Sequence, residues 1–206
     1  MKRTAVIFLL LMLCMTTARA GNGKSSPRPD ITFGVEWGYI GTFFSGYHHN
    51  FFSNEGYRVD QDDYGLTFIS NADAYVHAGY NLDDNWNISL YIGGTGIAGF
   101  APALPVSIRG TRYFGEEYEA DRWFAFLDLG SGISLKKNPQ EILAGKIGGG
   151  YRISLSRLSK LDFIVSARMT YTHQNITYKG TSIDRRFINR NNAYAAALSL
   201  GISITL

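Results

Sequence analysis

The chain has a single cysteine in 206 residues, Cys14, and it falls in a stretch that reads as an export signal. Lys2 and Arg3 open that stretch, Ala5 to Met15 is almost unbroken apolar sequence, and Ala18-Arg19-Ala20 supplies the small residues for cleavage before Gly21. Use of Cys14 for lipid attachment would need a small residue before it, and Leu13 is large. The exported chain therefore has no thiol, which excludes a disulfide framework, a thiolate metal site and a cysteine nucleophile. An excess of charge is also lacking. The whole chain has 20 Lys+Arg against 17 Asp+Glu, and the signal takes Lys2, Arg3 and Arg19, leaving 17 against 17. A balanced chain does not suit nucleic acid, which needs a basic surface to neutralise phosphates. No apolar run beyond residue 20 approaches the ~18 residues of a membrane-spanning helix. Prolines number only five, placed in the polar lead, in loops or at a strand start, so none interrupts a ladder.

What is present is alternation. From Tyr194 to Leu206 one face carries Tyr194, Ala196, Leu198, Leu200, Ile202, Ile204 and Leu206, and the other Ala195, Ala197, Ser199, Gly201, Ser203 and Thr205. A period of two sustained to the last residue is a strand pattern that no helix produces. The same pattern predicts strands over 31–43, 66–80, 86–97, 104–114, 122–135, 143–154 and 160–174, which makes eight with the last. Each has one apolar face, so the chain is expected to form a barrel, soluble or membrane-spanning, whose two faces are chemically distinct.

The polar faces carry ionisable groups in mid-strand: Glu36, Asp73, Arg109, Asp128, Lys146 and Arg168, three acids and three bases. A small membrane barrel would pair them inside and turn the apolar faces to lipid. A soluble carrier barrel would reverse the faces. Long gaps after the first and seventh strands (44–65 and 175–192) match outer loops, and short gaps after the second and sixth match periplasmic turns. Gaps after the third, fourth and fifth strands are intermediate. Tyr80, Trp86, Phe114 and Trp123 would line the short-turn rim, and Phe43, Phe68, Tyr171 and Tyr194 an opposite belt, as interfacial rings do. These features together predict an all-β fold: an eight-stranded antiparallel up-and-down transmembrane β-barrel over 30–206. It follows a signal peptide (1–20) and a lead (21–29).

With those strands in view, the chain resembles the small eight-stranded outer-membrane proteins of the OmpA/OmpX type, and especially short barrel-only relatives common in Bacteroidetes. The resemblance is carried by Leu104-Pro-Val-Ser-Ile-Arg-Gly-Thr-Arg-Tyr-Phe114, Leu127-Asp-Leu-Gly130, Gly148-Gly-Gly-Tyr151 and the closing Ala197 to Leu206. It implies an outer-membrane location, lipid and lipopolysaccharide as surroundings, and recognition of the last strand by the barrel-assembly machinery. Many members end in Phe, whereas this chain ends in Leu206.

A closed barrel of eight strands holds only its own side chains, so a wide pore is not expected and neither is a cofactor. The interior charges read as a salt-bridge network. If the turn after the fourth strand pairs Phe114 with Trp123, Arg109 falls opposite Asp128. Surface recognition is expected from a first loop (45–65) containing Tyr47, His48, His49, Phe51 and Phe52, and from a basic fourth loop with Lys179, Arg185, Arg186 and Arg190. The leading expectation is a monomeric, non-catalytic barrel with a structural, adhesive or binding role. The alternatives are a lipid-modifying outer-membrane enzyme and a soluble periplasmic carrier. Acyl hydrolysis needs a nucleophile beside a base and an orienting acid. Asp73 and His77 share a face but lie about 13 Å apart along a strand, too far to bond. No His-x-Ser-Asn stretch, as in lipid A deacylase barrels, occurs in the chain.

Overall fold

The computed structural model describes residues 28–97, 100–115, 117–135 and 140–206; the side chains of Ile97, Phe100 and Ala101 are outside the description. The signal peptide and nearly all of the lead lie outside the described residues. The chain forms β1 (Ile31–Phe52), β2 (Arg58–Asn81), β3 (Trp86–Ile97), β4 (Phe100–Phe114), β5 (Arg122–Ser134), β6 (Glu141–Ser154) and β7 (Lys160–Thr172). A small hairpin, β8 (Thr177–Tyr178) and β9 (Thr181–Ser182), and a 3-10 turn at Arg185–Phe187 precede β10 (Ile188–Thr205). Strands β1 to β7 and β10 close into a barrel in the order β1-β10-β7-β6-β5-β4-β3-β2. Every ladder is antiparallel and every connection within the ring joins neighbours, so the barrel is up-and-down.

Closure follows from the alternation that ends the sequence. Trp37 pairs with Ile202 and Tyr39 with Leu200, and Leu206 exchanges both backbone hydrogen bonds with Phe33 (2.7 and 3.0 Å). The final residue therefore forms part of the seam. At the same end of the seam, Arg28 donates to Asp84 Oδ1 at 3.1 Å and to the Leu82 carbonyl at 3.0 Å, fixing the end of the lead against the β2–β3 turn.

The two faces are segregated as the period-two pattern requires. Phe33, Val35, Trp37, Ile92, Val106, Leu129, Ile147, Val165, Met169, Leu198 and Leu200 point outward and are exposed, while Glu36, Asp73, Arg109, Asp128, Lys146 and Arg168 are buried inside. Lumen-facing glycines of β6 make room for rings of β5. A Cβ on Gly148 would meet Phe126 Cζ at 2.8 Å, and one on Gly150 would meet Phe124 Cζ at 2.7 Å. Each ring thus covers the glycine directly across the ladder.

One expectation is corrected here. The segment 45–65 is not a long loop: β1 and β2 run on through it, leaving only the Ser53–Tyr57 connection. The β1 register slips between Thr42 and Phe44, a bulge that takes the strand out of phase, so alternation counted from Ile31 fades just where the strand continues. The other expected gap lengths hold: 82–85 and 155–159 are short and the 173–187 segment after β7 is long. At the end opposite the short turns, height after β1 comes from strands rather than from a loop. β1 covers 22 residues and β2 24, about 70–80 Å of strand, whereas a membrane crossing takes about 9–11 residues.

Candidate functional site

The extra strand length builds a three-stranded blade. β3 begins to pair with β2 only at Asp73, opposite Thr95, so Arg58 to Ala72 pair with β1 alone. On the other side β7 pairs with β10 from Ala193 downward, while Ile188 and Arg190 to Asn192 pair with β1 alone. The β8–β9 hairpin folds onto this blade. Phe51, Val59, Ile176 and Ile183 form a buried cluster there, with Tyr178 and Ile188 packed against it. Lys179 Nζ reaches Glu55 at 3.0 and 3.1 Å, and the Tyr57 and Tyr178 hydroxyls meet at 3.2 Å. The hydrogen bond from Lys179 holds Glu55 below the usual carboxylate range, and Glu55 in turn pushes the lysine up to about 12.

That packing corrects part of the expected recognition surface. Phe51 is 0% exposed because the fourth loop covers it, and His49 is buried, its ring stacked on Tyr47 at 4.5 Å. Burial, and then the neighbouring His48, keep His49 below its ordinary pKa. Neither Phe51 nor His49 is open to a ligand. Tyr47 and His48 are half-buried, His48 Nε2 lies 2.8 Å from Asp60, and Phe52 is exposed. Arg186 is exposed but closes back on Asp184 at 3.0 Å, and Arg185 is exposed in the same turn. On the edge of β2 that no described strand pairs, Asp60 and Asp62 are exposed in line with Tyr64, Leu66 and Phe68, and Asp63 is exposed beside them. The cluster around Phe51 makes a prediction of its own. Phe51→Ala should cost about 3–5 kcal/mol of local stability and release the 173–187 segment to protease, while the barrel stays resistant. Equal protease resistance of wild type and variant would refute the account of the blade.

Inside the barrel the register sets Arg109, Asp128, Lys146 and Arg168 side by side across β4 to β7. Arg109 lies opposite Asp128, and Phe114 opposite Trp123. Its guanidinium donates to Glu36 through both terminal nitrogens (2.6 and 3.1 Å), to Asp128 Oδ2 from Nε and Nη2 (both 3.1 Å), and to the Tyr91 hydroxyl at 3.0 Å. The Tyr91 and Phe126 rings sandwich it at 4.0 and 4.2 Å. Lys146 donates to Asp73 at 3.2 Å across the lumen, and Arg168 to Thr95 Oγ1 at 2.7 Å. All six predicted interior residues are thus in one layer, three acids against three bases, satisfied by each other and by hydroxyls.

A second layer nearer the short turns was not singled out from the sequence. Arg152 forms a bidentate pair with Asp162 (2.6 and 2.7 Å), and Arg122 and Lys160 lie buried beside it. Their positions at strand ends suggest water contact. The register signal that could have found the pair is Arg152 opposite Asp162, one step from Tyr151 opposite Phe163. Between the layers His77 Nε2 is 3.3 Å from Ser203 Oγ, and the imidazole stacks on Tyr91 at 4.7 Å. A histidine and a serine therefore do meet. They meet inside a packed lumen, 7% and 2% exposed, beside a cavity of about 20 Å³, room enough for a water molecule and far too small for an acyl chain.

An outward apolar face around a charged, filled lumen is the arrangement of a known class of small barrels. The chain resembles small outer-membrane β-barrels. The outer membrane protein OprG from Pseudomonas aeruginosa superposes with a TM-score of 0.48 at 11% identity, over 87% of this chain and 97% of that one. The outer membrane protein AlkL, solved in DMPC lipid bilayers, gives 0.45 at 12% identity over 91% and 96%. Neisserial surface protein A gives 0.40 at 13% identity over 84% and 96%. No protein-family model and no curated protein matches the sequence.

Proposed function

We propose that this protein is a monomeric, non-catalytic outer-membrane β-barrel, inserted with its short turns toward the periplasm, whose work is structural or adhesive and is carried outward by the blade. The observation that supports this reading is the inverted distribution of side chains. Phe33 on β1, Val76 on β2, Leu104 on β4, Ile147 on β6 and Leu200 on β10, spread around the ring, are 54–65% exposed, while the mid-strand charges are buried in the lumen. Such a face in water would be a continuous apolar patch far beyond what a soluble protein tolerates, and in lipid it is the expected surface. Trp86, Phe114 and Trp123 at the short-turn rim, with Arg112 against Trp86 at 5.1 Å, suit the inner interface. A soluble carrier would need an apolar lumen, and the lumen is charged and filled. A lipid-modifying enzyme would need its base and nucleophile open to lipid, and His77 and Ser203 are enclosed.

Within this reading the partners are outer-membrane lipids and lipopolysaccharide around the belt, with Arg185 facing phosphates outside. Barrel-assembly machinery would engage β10 during insertion. A closed ring leaves no strand edge within the membrane, which favours a monomer there. The free β2 edge and its aspartates are the surface offered to an external partner. The test is electrophoretic. Protein extracted in detergent should migrate faster unheated than after boiling, because a closed hydrogen-bonded barrel resists dodecyl sulfate until heated. Identical mobility in correctly exported protein would refute insertion as a barrel.

A further inference from the structure

The central lumen layer is neutral, and the layer beneath it is not. Arg122, Arg152 and Lys160 are 3%, 4% and 0% exposed, and Asp162 is the one buried acid among the described residues of that layer. Arg152 takes both oxygens of Asp162. Lys160 Nζ donates to Ser154 Oγ and to the Ser156 carbonyl, which are neutral acceptors. Arg122 donates from one terminal nitrogen to the Asp84 carbonyl, and its Nε and Nη2 are buried with no hydrogen-bond partner. Among the described residues, two positive charges at the short-turn mouth are therefore left without a hydrogen-bonded acid, a costly arrangement unless something offsets it.

Two tyrosines interleave the three cations. Arg152 and Arg122 each lie 4.3 Å from the Tyr113 ring, and Arg122 and Lys160 lie 5.4 and 5.1 Å from the Tyr118 ring. Tyr118 comes from the β4–β5 turn and is itself buried. The ring faces lower the repulsion among the cations and do not satisfy the free N–H groups. Nearby acids are occupied or exposed at the rim. Asp84 pairs with Arg28 at 3.1 Å, Glu119 with Arg157 at 3.6 Å, and Asp121 accepts from the Ser154 backbone.

We infer that the short-turn mouth of the barrel is a binding site for a phosphate-type oxyanion, held by the free Nε and Nη2 of Arg122 with Lys160 as the second charge. A tetrahedral oxyanion offers several acceptors to a guanidinium fork and carries up to two negative charges near neutral pH. That matches the uncompensated charge of the layer. The same chemistry is offered by free phosphate and by the phosphate of a lipid headgroup.

The test is thermal unfolding of the folded protein in maltoside micelles, titrated with inorganic phosphate against chloride at matched ionic strength. The expected result is an unfolding midpoint several degrees higher in phosphate, a rise that Arg122→Gln abolishes and Arg185→Gln, at the opposite end, leaves intact. If Arg122→Gln does not fold, Lys160→Gln should reduce the phosphate effect, and the ³¹P resonance of phosphate should broaden with wild-type protein. Repeating the titration in phosphatidylglycerol bilayers separates the sources. A headgroup ligand would fill the site and remove the response, and a free-phosphate site would keep it. No rise in micelles, an equal rise in chloride, or a full rise in Arg122→Gln would each overturn the inference.

Discussion

Arg109→Leu should destabilise the barrel by about 3–5 kcal/mol, because it leaves buried charge without its partner. Glu36 and Asp128 both depend on this one guanidinium, at 2.6–3.1 Å, and both are nearly sealed from water. Removing Arg109 strands two carboxylates at once, and it also strips Tyr91 and Phe126 of the cation between them. Asp128→Ala should cost less, about 1–3 kcal/mol, since Arg109 keeps the two-pronged bond to Glu36 and its contact with Tyr91. The measurement is the urea midpoint of unfolding for barrels folded in detergent or vesicles. The order of the two variants matters as much as their size. If Asp128→Ala were the more damaging, or Arg109→Leu matched wild type, the lumen would not be organised around Arg109.

The second large effect concerns the outer face. Leu127→Arg should cost about 2–4 kcal/mol, the penalty for a charge on the lipid side near mid-membrane. Leu127 is half-exposed, midway along β5, with Ile147 next to it on β6. Leu66 is 89% exposed, but it sits on the blade, seven residues beyond the first β2–β3 pair. Leu66→Arg should therefore change stability by less than about 0.5 kcal/mol, as surface substitutions usually do. In a barrel standing in water the two replacements would behave alike. Refolding yield and urea midpoint in lipid vesicles read the contrast directly, and equal effects would count against a membrane around β5.

The strands were legible because period-two alternation survives wherever one face is apolar and the other polar. β3 and β5 show this best: Ile88, Leu90 and Ile92 against Asn87 and Ser89, and Leu127 and Leu129 against Asp128. The Arg109–Asp128 register was legible for a related reason, since a turn that pairs Phe114 with Trp123 fixes every residue above it. The blade was not. Past the bulge near Phe43 both faces leave the apolar belt, and Tyr47 to Phe52 show no alternation of polarity, so continued strand looks like loop. Phe51 carries no local sign that residues more than a hundred positions away, Ile176 and Ile183, will cover it. The lower cation layer was hidden by position, because Arg122 and Lys160 open their strands and a charge there normally reaches solvent. Tyr118, folding in from the turn, is what buries them, and nothing in the sequence marks that residue over Tyr113 or Tyr151. His77 and Ser203 lie 126 positions apart and meet only through the β1 seam.

The central claim, apolar face to lipid and polar face to a filled lumen, is tested most directly by scanning consecutive positions of β10. The sequence has no cysteine beyond Cys14, so in protein starting at Gly21 single cysteines at positions 197 to 202 can each carry a spin label in lipid bilayers. The account predicts alternating environments. Labels at Leu198, Leu200 and Ile202 should collide with dissolved oxygen and escape a water-soluble nickel chelate. Those at Ala197, Ser199 and Gly201 should be immobilised and shielded from both. Nickel accessibility at 198, 200 and 202, with oxygen accessibility at none of them, would contradict it and turn the barrel's outer face to water.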